Sequence, residues 1–475
     1  MDSINIPFDT HLKLLGVTID QHLKFIKHVE NIIIKAQKIY KRLCIFIKPT
    51  WGVQAGNINI IYRQVIVPIT TYAAEIWKHA INYKKVENAL LSLQRGFAIR
   101  IIRGFSTLPT IAAIALAGLI PLPDRIREVA SIEEVKRTHT TKYLPDDIQF
   151  DKRAPVNELL HPAKRLHIEI AKVNSTDELE PYYTTDMNRI YTDGSKHDDV
   201  VGAAVMIHHP DGRSTYKKIK LHNSCTVFQA ECLAIEKACE LCIELKLKQN
   251  TIFSDSMAAL QELANRNSTN AIVNRTHKIA SIMRDNGQEI QFCWVKAHAG
   301  IPGNETADIL AKSAAAQHKF PDYIKFPLSY HKSRLRKETI GKHGKTYQES
   351  ITGAHLKQWL PTINNINTFR QNFEMTFQMT QILTGHGYNK TNLNRFKVTD
   401  SNECPCDDRT PQTIAHLIKE CARYATDRNS HETICAIYDI EPYSIEQLIQ
   451  HEDTKESFNN YVNKIINTLK KFNGT

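Results

Sequence analysis

The segment from Trp294 to Asp308, WVKAHAGIPGNETAD, constrains the fold of this chain more than any other stretch. A short apolar run typical of a strand leads into a glycine-containing loop with one histidine, His298, and then into a helix that carries Asn304 and Asp308 in its first turns. A strand, a loop and a helix in this order suit metal-assisted phosphate chemistry at the end of a sheet. However, a lone loop histidine is commonly a surface residue, and an aspartate at a helix start commonly stabilises the helix dipole. The interpretation therefore depends on whether further carboxylates converge there.

Three acidic residues upstream also lie at junctions of predicted elements. Asp193 ends a short alternating strand, where aspartate is disfavoured, and Asp255 follows the strand-like run TIFS. Glu231 lies beside the apolar stripe of a helix predicted from Val227 to Leu245. Taken singly, Asp193 could be a turn residue, Asp255 a helix N-cap and Glu231 part of a solvated helix face. Taken together with Asp308, they predict a site for two divalent ions, because crowded acids repel one another unless cations lie between them.

Four phrases in this order resemble the ribonuclease H domain, in the form found in insect-type non-LTR (LINE-like) retrotransposon polyproteins: YTDGS, QAECLAI, SDSMAAL and HAGIPGNETAD. The resemblance implies an α/β fold, an RNase H-like five-stranded mixed sheet flanked by helices, whose first three strands are antiparallel at about 188–192, 200–209 and 213–221. It implies that His298 is the mobile loop histidine of the family. The residues that correspond to the four metal-binding carboxylates are Asp193, Glu231, Asp255 and Asp308. One departure is that Lys296 and Ala297 stand where such domains often have Pro-Gly.

The resemblance also implies an activity, which is hydrolysis of the RNA strand of an RNA–DNA hybrid with two Mg²⁺ or Mn²⁺ ions. The candidates for substrate binding, by their position beside the carboxylates, are Gly194, Ser195, Gln229 and Asn304. Two alternatives stay open. The chain could be a non-catalytic nucleic-acid-binding remnant of a retrotransposon polyprotein, although all five chemical positions are intact. It could also be an integrase or structure-specific nuclease of the same fold class that acts on duplex DNA, although the motif order disfavours this.

Length, charge and cysteine content limit the possible domain number, partner class and compartment of the chain. A length of 475 residues predicts two or three domains, and a net charge of +11 indicates a polyanionic partner, most commonly nucleic acid. A merely basic soluble protein has the same composition. The ten cysteines show no short secreted-type framework, which indicates thiols and a reducing compartment. With no signal peptide or membrane-length apolar run, we expect an intracellular protein in the nucleus or the cytoplasm, and no membrane partner.

The N-terminal part, residues 1–105, is predicted to be basic and mainly helical. The phrases LGVTIDQHLKFIKHV and LQRGFAIRIIRG resemble the thumb-like end of a non-LTR reverse transcriptase. The lysines of the first helix form either a solvated face or a surface that follows a nucleic acid backbone. Residues 1–185 contain no Tyr-x-Asp-Asp turn, so we expect no polymerase activity and interpret the chain as the C-terminal portion of such a polyprotein. Residues 106–185, with a helix predicted at 162–173, are interpreted as a connection to an RNase H domain at 186–318.

The last part, residues 319–475, holds a second cluster with the spacing C-x-C-x₉-H-x₄-C, formed by Cys404, Cys406, His416 and Cys421. Thiolate and imidazole groups at this spacing fit tetrahedral Zn²⁺, whereas the alternative is a set of unrelated free thiols. The preceding phrase LTGHGYNKTNLNRF, with the cysteines, resembles the C-terminal region of the same polyproteins. We therefore expect a small helical zinc module that contacts retrotransposon RNA or DNA.

Overall fold

A computed structural model of the protein describes residues 10–47, 52–140, 150–165, 167–182 and 186–474. The chain divides into two compact units, one formed by residues 135–334 and the other by residues up to 134 together with those from 335 onward. These boundaries differ from the predicted ones at 105, 185 and 318, and the functional labels given to those four parts stay predictions. Within the described ranges, no helix is both long enough and apolar enough to cross a membrane.

A six-stranded mixed sheet organises the unit of residues 135–334. Its strands are β1 (Ile170–Val173), β2 (Asn188–His197), β3 (Val200–His208), β4 (Ser214–Leu221), β5 (Gln249–Ser254) and β6 (Glu289–Val295). The spatial order is β1-β6-β5-β2-β3-β4. Strands β2, β3 and β4 are antiparallel neighbours, as predicted, whereas β5, β6 and β1 continue the sheet in parallel with β2.

The sheet has one strand more than predicted. Strand β1 lies in the segment 162–173, which was predicted to be a helix and instead contains a 3₁₀ turn, Pro162–Lys164, followed by the strand. The reason is that Ile168 and Ile170 alternate with exposed neighbours, so the segment has a period of two. It pairs with β6 at the edge of the sheet, where Val173 lies opposite Val295.

Four helices cover the sheet: α1 (Val227–Glu244), α2 (Met257–Ala264), α3 (Ala271–Asp285) and α4 (Pro302–Ala315). Alternate strand residues separate two apolar cores, so that Ile190 and Ile252 pack with α1, α2 and α3, while Tyr191 and Phe253 pack towards α4. Helix α4 lies so close to β3 that a Cβ on Gly202 would be 2.4 Å from the Ala311 carbonyl oxygen. Two short 3₁₀ helices, Val156–Glu158 and Asp177–Tyr182, complete this unit.

The second unit is mainly helical. A hairpin of strands His11–Leu14 and Val17–Asp20 precedes a helix at Ile26–Ile45. The next helical segment is divided into Ala55–Ile61, a π-helical turn Tyr62–Ile66, Val67–Thr71 and Ala74–Trp77. Pro68 and the left-handed Ala73 lie at these divisions. Lys78–Asn82 (3₁₀), Lys84–Ile101, Thr110–Leu116 and Leu122–Thr138 follow.

The C-terminal helices belong to the same unit from residue 335 onward. They are Leu328–Glu349, Ala354–Trp359, Ile363–Asn372, Phe377–Thr384, Lys390–Arg395, Ile414–Lys419, Ala422–Tyr424 (3₁₀), Ala425–Ile437, Ile445–Leu448 and Glu452–Asn473. The N-terminal and C-terminal segments share one hydrophobic core, which contains Phe97 and Ala112 as well as Phe369 and Phe458. The basic residues of the first helix are all exposed: Lys27, Lys35, Lys38, Lys41 and Arg42.

Candidate functional site

Two acidic residues lie side by side at the point where the parallel pairing of strands β2 and β5 ends. The register of strands β2 and β5 places Thr192 opposite Ser254. Asp193 directly follows Thr192, and Asp255 directly follows Ser254. Asp193 is a buried strand residue and not a turn residue. Asp255 is not a helix cap either, because Ser256 caps α2 by accepting a hydrogen bond from the Ala259 amide. The edge of an open α/β sheet at its strand ends is the usual place for a ligand.

Helix α1 brings the third carboxylate, Glu231, to the same place. Thr226 and Gln229 form a capping box that fixes where this helix begins. Gly194 lets the helix approach β2, since a Cβ at that position would lie 2.6 Å from the Glu231 backbone nitrogen. Glu231 is therefore buried beside the sheet and is not part of a solvated helix face.

The three carboxylates can share one ion. Asp193, Glu231 and Asp255 each offer an oxygen, and these three atoms lie within 4.8 Å of one another. Asp193 Oδ2 and Glu231 Oε2 are buried and accept no hydrogen bond from the residues that the structure describes. Buried acceptors without donors are costly unless a cation satisfies them. The donor set is all oxygen, which fits Mg²⁺ or Mn²⁺.

The electrostatics of the cluster agree with a cation site. Burial, and then the charges of Asp255 and Asp308, raise the pKa of Asp193 to about 7. Burial, and then Asp193 and Asp255, hold the pKa of Glu231 well above its usual value, against a contact with the Gly194 backbone amide that lowers it. The acids therefore resist simultaneous ionisation, and a divalent ion would relieve that repulsion.

The fourth predicted carboxylate, Asp308, lies in electrostatic reach of the cluster but outside the three-acid group. It stands on α4, about a quarter of its side chain is exposed, and its Oδ2 is 2.7 Å from Lys312 Nζ. Its charge nevertheless raises the pKa of both Asp193 and Glu231.

Neighbouring side chains hold Asp255 in place. Asn304 Nδ2 donates to Asp255 Oδ2 at 3.2 Å, and Trp294 Nε1 donates to the Asp255 carbonyl oxygen at 2.9 Å. Asn304 is buried, and within the described part of the chain its own Oδ1 accepts no hydrogen bond. Asn304 thus contacts the carboxylate cluster directly, whereas the Trp294 contact was not predicted from the sequence.

His298 lies in the loop between β6 and α4 and is exposed. Its φ of 54° is in the left-handed region, which a non-glycine residue seldom occupies. An exposed, strained loop position leaves the imidazole accessible from solvent. The predicted catalytic role of His298 stays a prediction.

The family model of RNase H matches residues 186–316. This range contains the sheet strands β2 to β6, all four helices and the four carboxylates. These residues form an RNase H domain. The fold is RNase H-like, with the additional edge strand β1 outside the matched range.

Segments of this chain also align with curated relatives, and they span a third or less of the length of those relatives. A 115 kDa protein in the type-1 retrotransposable element R1DM of Drosophila melanogaster is 23% identical over 133 residues, or 28% of this chain and 13% of that protein. Two Pol polyproteins from type-1 retrotransposable elements of Nasonia vitripennis, R1 2 and R1 4, are 23% and 28% identical over 132 and 126 residues. The aligned segments cover 28% and 26% of this chain and 32% and 31% of those polyproteins.

Among solved structures, the N-terminal RNase H domain of rv2228c from Mycobacterium tuberculosis, solved as a fusion with maltose-binding protein, is similar to this chain. The identity is 17% and the TM-score 0.24, and the match covers 27% of this chain and 98% of that one.

The remaining predicted substrate-binding residues of the RNase H domain differ in their surroundings. Ser195 is half-buried beside the carboxylates. Gln229 is buried, and its Nε2 donates to Asp151 Oδ2 at 2.8 Å and to the Lys325 carbonyl at 3.3 Å. Its side chain is thereby engaged within the protein. For Gly194, the close approach of α1 to β2 is itself a structural reason for glycine.

A cavity of about 1060 Å³ beside the RNase H carboxylate helix was not predicted. Helices α1 and α3 both begin at this cavity, capped by Thr226 and Asn270. The basic residues that line it are Lys136, Lys152, Arg153 and Lys332, and the acidic ones are Asp151 and Glu262. Both helix starts carried sequence signals, a T-x-x-Q capping box and an asparagine before an apolar run, but nothing in the sequence joined them.

The second predicted cluster is assembled in the other compact unit. Its four side chains, Cys404, Cys406, His416 and Cys421, offer ligand atoms that all lie within 4.8 Å of one another. The Sγ atoms of Cys404 and Cys421 are 3.7 Å apart, and Cys406 Sγ is 3.3 Å from His416 Nε2. Zinc–sulfur bonds of about 2.3 Å in a tetrahedron place neighbouring sulfurs about 3.8 Å apart. The donor atoms therefore fit a zinc ion in number, type and spacing.

Proposed function

We propose that the RNase H domain hydrolyses the RNA strand of RNA–DNA hybrids with two divalent metal ions. The observation that carries this proposal is the convergence of Asp193, Glu231 and Asp255 with two buried, unsatisfied carboxylate oxygens. A purely structural acid cluster would leave those oxygens unsatisfied at a cost in stability. The match of residues 186–316 to the RNase H family supports the substrate class.

Different carboxylates would hold the two metal ions. Asp193, Glu231 and Asp255 would hold one ion, and Asp193 with Asp308 the other. The ions would supply an activated water and stabilise the leaving 3′ oxygen. Asn304 orients Asp255 through its amide, and the exposed His298 would help to bring in water or to release product. The expected products carry 5′-phosphate and 3′-hydroxyl ends.

In this proposal, the basic cavity binds the phosphate backbone of the substrate. The amino ends of α1 and α3 carry partial positive charge, and two helix starts at one cavity favour a phosphate group. Lys152 and Arg153 add full charges at its rim. Replacing both by alanine should raise KM for a hybrid several-fold, leave kcat nearly unchanged and reduce the salt dependence of binding. Lys248→Ala, at the opposite end of strand β5 from Asp255, is the matched control.

A panel of duplexes tests the substrate class. An RNA–DNA hybrid, a duplex RNA and a duplex DNA of one sequence are incubated with the full chain and Mg²⁺. We expect cleavage of the RNA strand of the hybrid alone. Duplex DNA lacks the 2′-hydroxyls that select RNA in a shallow minor groove, and duplex RNA lacks the DNA strand of the proposed substrate. Cleavage of duplex DNA would support a different nuclease of this fold class. Binding of all three duplexes without cleavage would support the non-catalytic remnant.

For the second cluster, we propose one Zn²⁺ held by Cys404, Cys406, His416 and Cys421. All ten cysteines lie in the described part of the chain and are free thiols, as a reducing intracellular compartment would keep them. Elemental analysis of thiol-protected protein should find about one zinc per chain. A folded wild-type chain without zinc would contradict this site and leave the nuclease proposal unaffected.

The zinc module also offers a nucleic acid surface in this proposal. The exposed Phe472 lies 5.3 Å from the Arg423 guanidinium, which follows Cys421 closely. Exposed aromatic rings beside cations stack on unpaired bases. Binding of single-stranded RNA or DNA should therefore weaken in Phe472→Ala without loss of zinc.

A further inference from the structure

Gln412 joins the Cys404 thiol to two other segments of its unit. Only 2% of this residue is exposed. Its Nε2 donates to Cys404 Sγ at 3.7 Å. Its Oε1 accepts from the Lys390 backbone amide at 2.9 Å and from Asn473 Nδ2 at 2.9 Å. A single buried amide therefore connects the cysteine cluster, the start of the helix Lys390–Arg395 and the end of the C-terminal helix.

The orientation of this amide suits a metal-bound thiolate. A thiolate is an acceptor, and an N–H donor directed at it stabilises its charge in a buried site. Residues that hold metal ligands in this way commonly change metal affinity about 10–100-fold when they are replaced. His416 Nδ1 lies 3.3 Å from Glu420 Oε2, which leaves Nε2 directed towards Cys406. One thiol ligand, Cys404, and the imidazole ligand, His416, thus each contact a residue outside the four ligands.

The segments joined by Gln412 have well-defined local structure. Asn389 caps the helix Lys390–Arg395 and donates through Nδ2 to the Gly385 carbonyl. Gly387 packs so closely that a Cβ there would lie 2.0 Å from Gln381 Oε1. Asn473 also donates to the Tyr388 carbonyl at 2.8 Å. The LTGHG phrase is therefore a compact loop held from two sides.

We propose that Gln412 is a positioning residue for the zinc site. It orients and stabilises the Cys404 thiolate, and it transmits zinc occupancy to the loop 385–390 and to the C-terminal helix. This role rests on the proposed zinc site. It extends that site by naming a residue outside the four ligands and the two segments that respond to the metal.

The substitution Gln412→Glu tests the role of the N–H donor. Glutamate keeps the shape and one oxygen acceptor for Lys390 and Asn473, but it directs an oxygen towards Cys404 where the amide donated. We expect the zinc dissociation constant, measured by chelator competition, to rise about 10–100-fold. We also expect the cobalt-substituted chain to show a shifted thiolate-to-metal absorption band. Gln450→Glu, at an exposed glutamine of the same unit, should change neither value.

Hydrogen exchange of the wild-type chain provides a second measurement that needs no substitution. Zinc loading should slow exchange at the Lys390 amide, which donates to Gln412, and at the end of the C-terminal helix. The role of Gln412 would be overturned if Gln412→Glu kept the wild-type zinc affinity and an unchanged cobalt spectrum. It would also be overturned if hydrogen exchange were equal with and without zinc. In both cases the zinc site itself would stand. A wild-type chain that binds no zinc would overturn the site and this role together.

Discussion

Lys312 forms an ion pair with Asp308 across one helical turn, with Nζ 2.7 Å from Oδ2, and Asp308 is a proposed ion ligand that lies outside the cluster of Asp193, Glu231 and Asp255. The lysine charge also lowers the pKa of Asp193, so it reaches the cluster electrostatically. Lys312 is thus a built-in cation next to a proposed ion site. A metal ion that uses Asp308 has to compete with it.

Replacing Lys312 by glutamine should therefore tighten binding of the second divalent ion. We expect the Mn²⁺ dissociation constant of that step, measured by calorimetry, to fall about two- to fivefold, because an exposed ion pair is a weak competitor. Lys319→Gln removes a similar pair with Asp322 elsewhere on the unit and is the control. Weaker Mn²⁺ binding in Lys312→Gln would contradict a competing role for the lysine.

The raised pKa of Asp193 makes the ion-free protein less stable as pH rises. The folded pKa of about 7 lies above the ordinary 3.8, so the folded state keeps a proton that the unfolded state loses between about pH 4 and pH 7. Stability is therefore lost over that interval. At pH 8, the free energy of unfolding of Asp193→Asn should exceed that of wild type by about 2–4 kcal/mol. At pH 4, the two free energies of unfolding should be nearly equal.

Calorimetric melting in magnesium-free buffer measures this difference, with the exposed Asp199→Asn as control. Added Mg²⁺ should remove the advantage of Asp193→Asn at pH 8, because only wild type gains from the ion. An equal effect of Asp193→Asn at both pH values would show that burial and charge repulsion do not act on this carboxyl group.

Gly194→Ala tests the close approach that positions Glu231. The added Cβ would meet the Glu231 nitrogen at 2.6 Å and the Ala230 carbonyl carbon at 2.9 Å, and both are backbone atoms of a helix that cannot give way locally. We expect a destabilisation of about 1–3 kcal/mol in urea unfolding and weaker Mn²⁺ binding. Gly341→Ala, a helical glycine with open space around it, should be neutral or slightly stabilising. Unchanged Mn²⁺ affinity in Gly194→Ala would show that this contact does not set the position of Glu231.

Much of the candidate site was predictable because its chemistry lies next to regular elements. Asp193 lies within a strand and Asp255 directly follows one, and the period of α1 showed Glu231 beside a buried stripe. The pairing of β2 with β5 then brings the two aspartates together without any further information. Cys404 and His416 were predictable from short spacing alone.

Long-range relationships were not predictable in the same way. Strand β1 pairs with β6 more than 100 residues away, and its four residues carry too short a pattern to identify a sheet edge. The amide of Gln229 was predicted to contact substrate, yet it binds Asp151, a residue in a segment interpreted as a connection. The link from Gln412 to Asn473 joins residues 61 positions apart. Such contacts depend on tertiary packing, which no local pattern encodes.

Cleavage of a strand-labelled RNA–DNA hybrid in Mg²⁺ by wild type, Asp193→Asn and Asp199→Asn tests the central claim most directly. We predict that wild type and Asp199→Asn cut the RNA strand at similar rates. Asp193→Asn, which lacks the carboxylate shared by both proposed ions, should cut at least about a hundredfold more slowly. Equal cleavage by Asp193→Asn and wild type, or no cleavage by wild type, would contradict the assignment of this carboxylate cluster as a nuclease site.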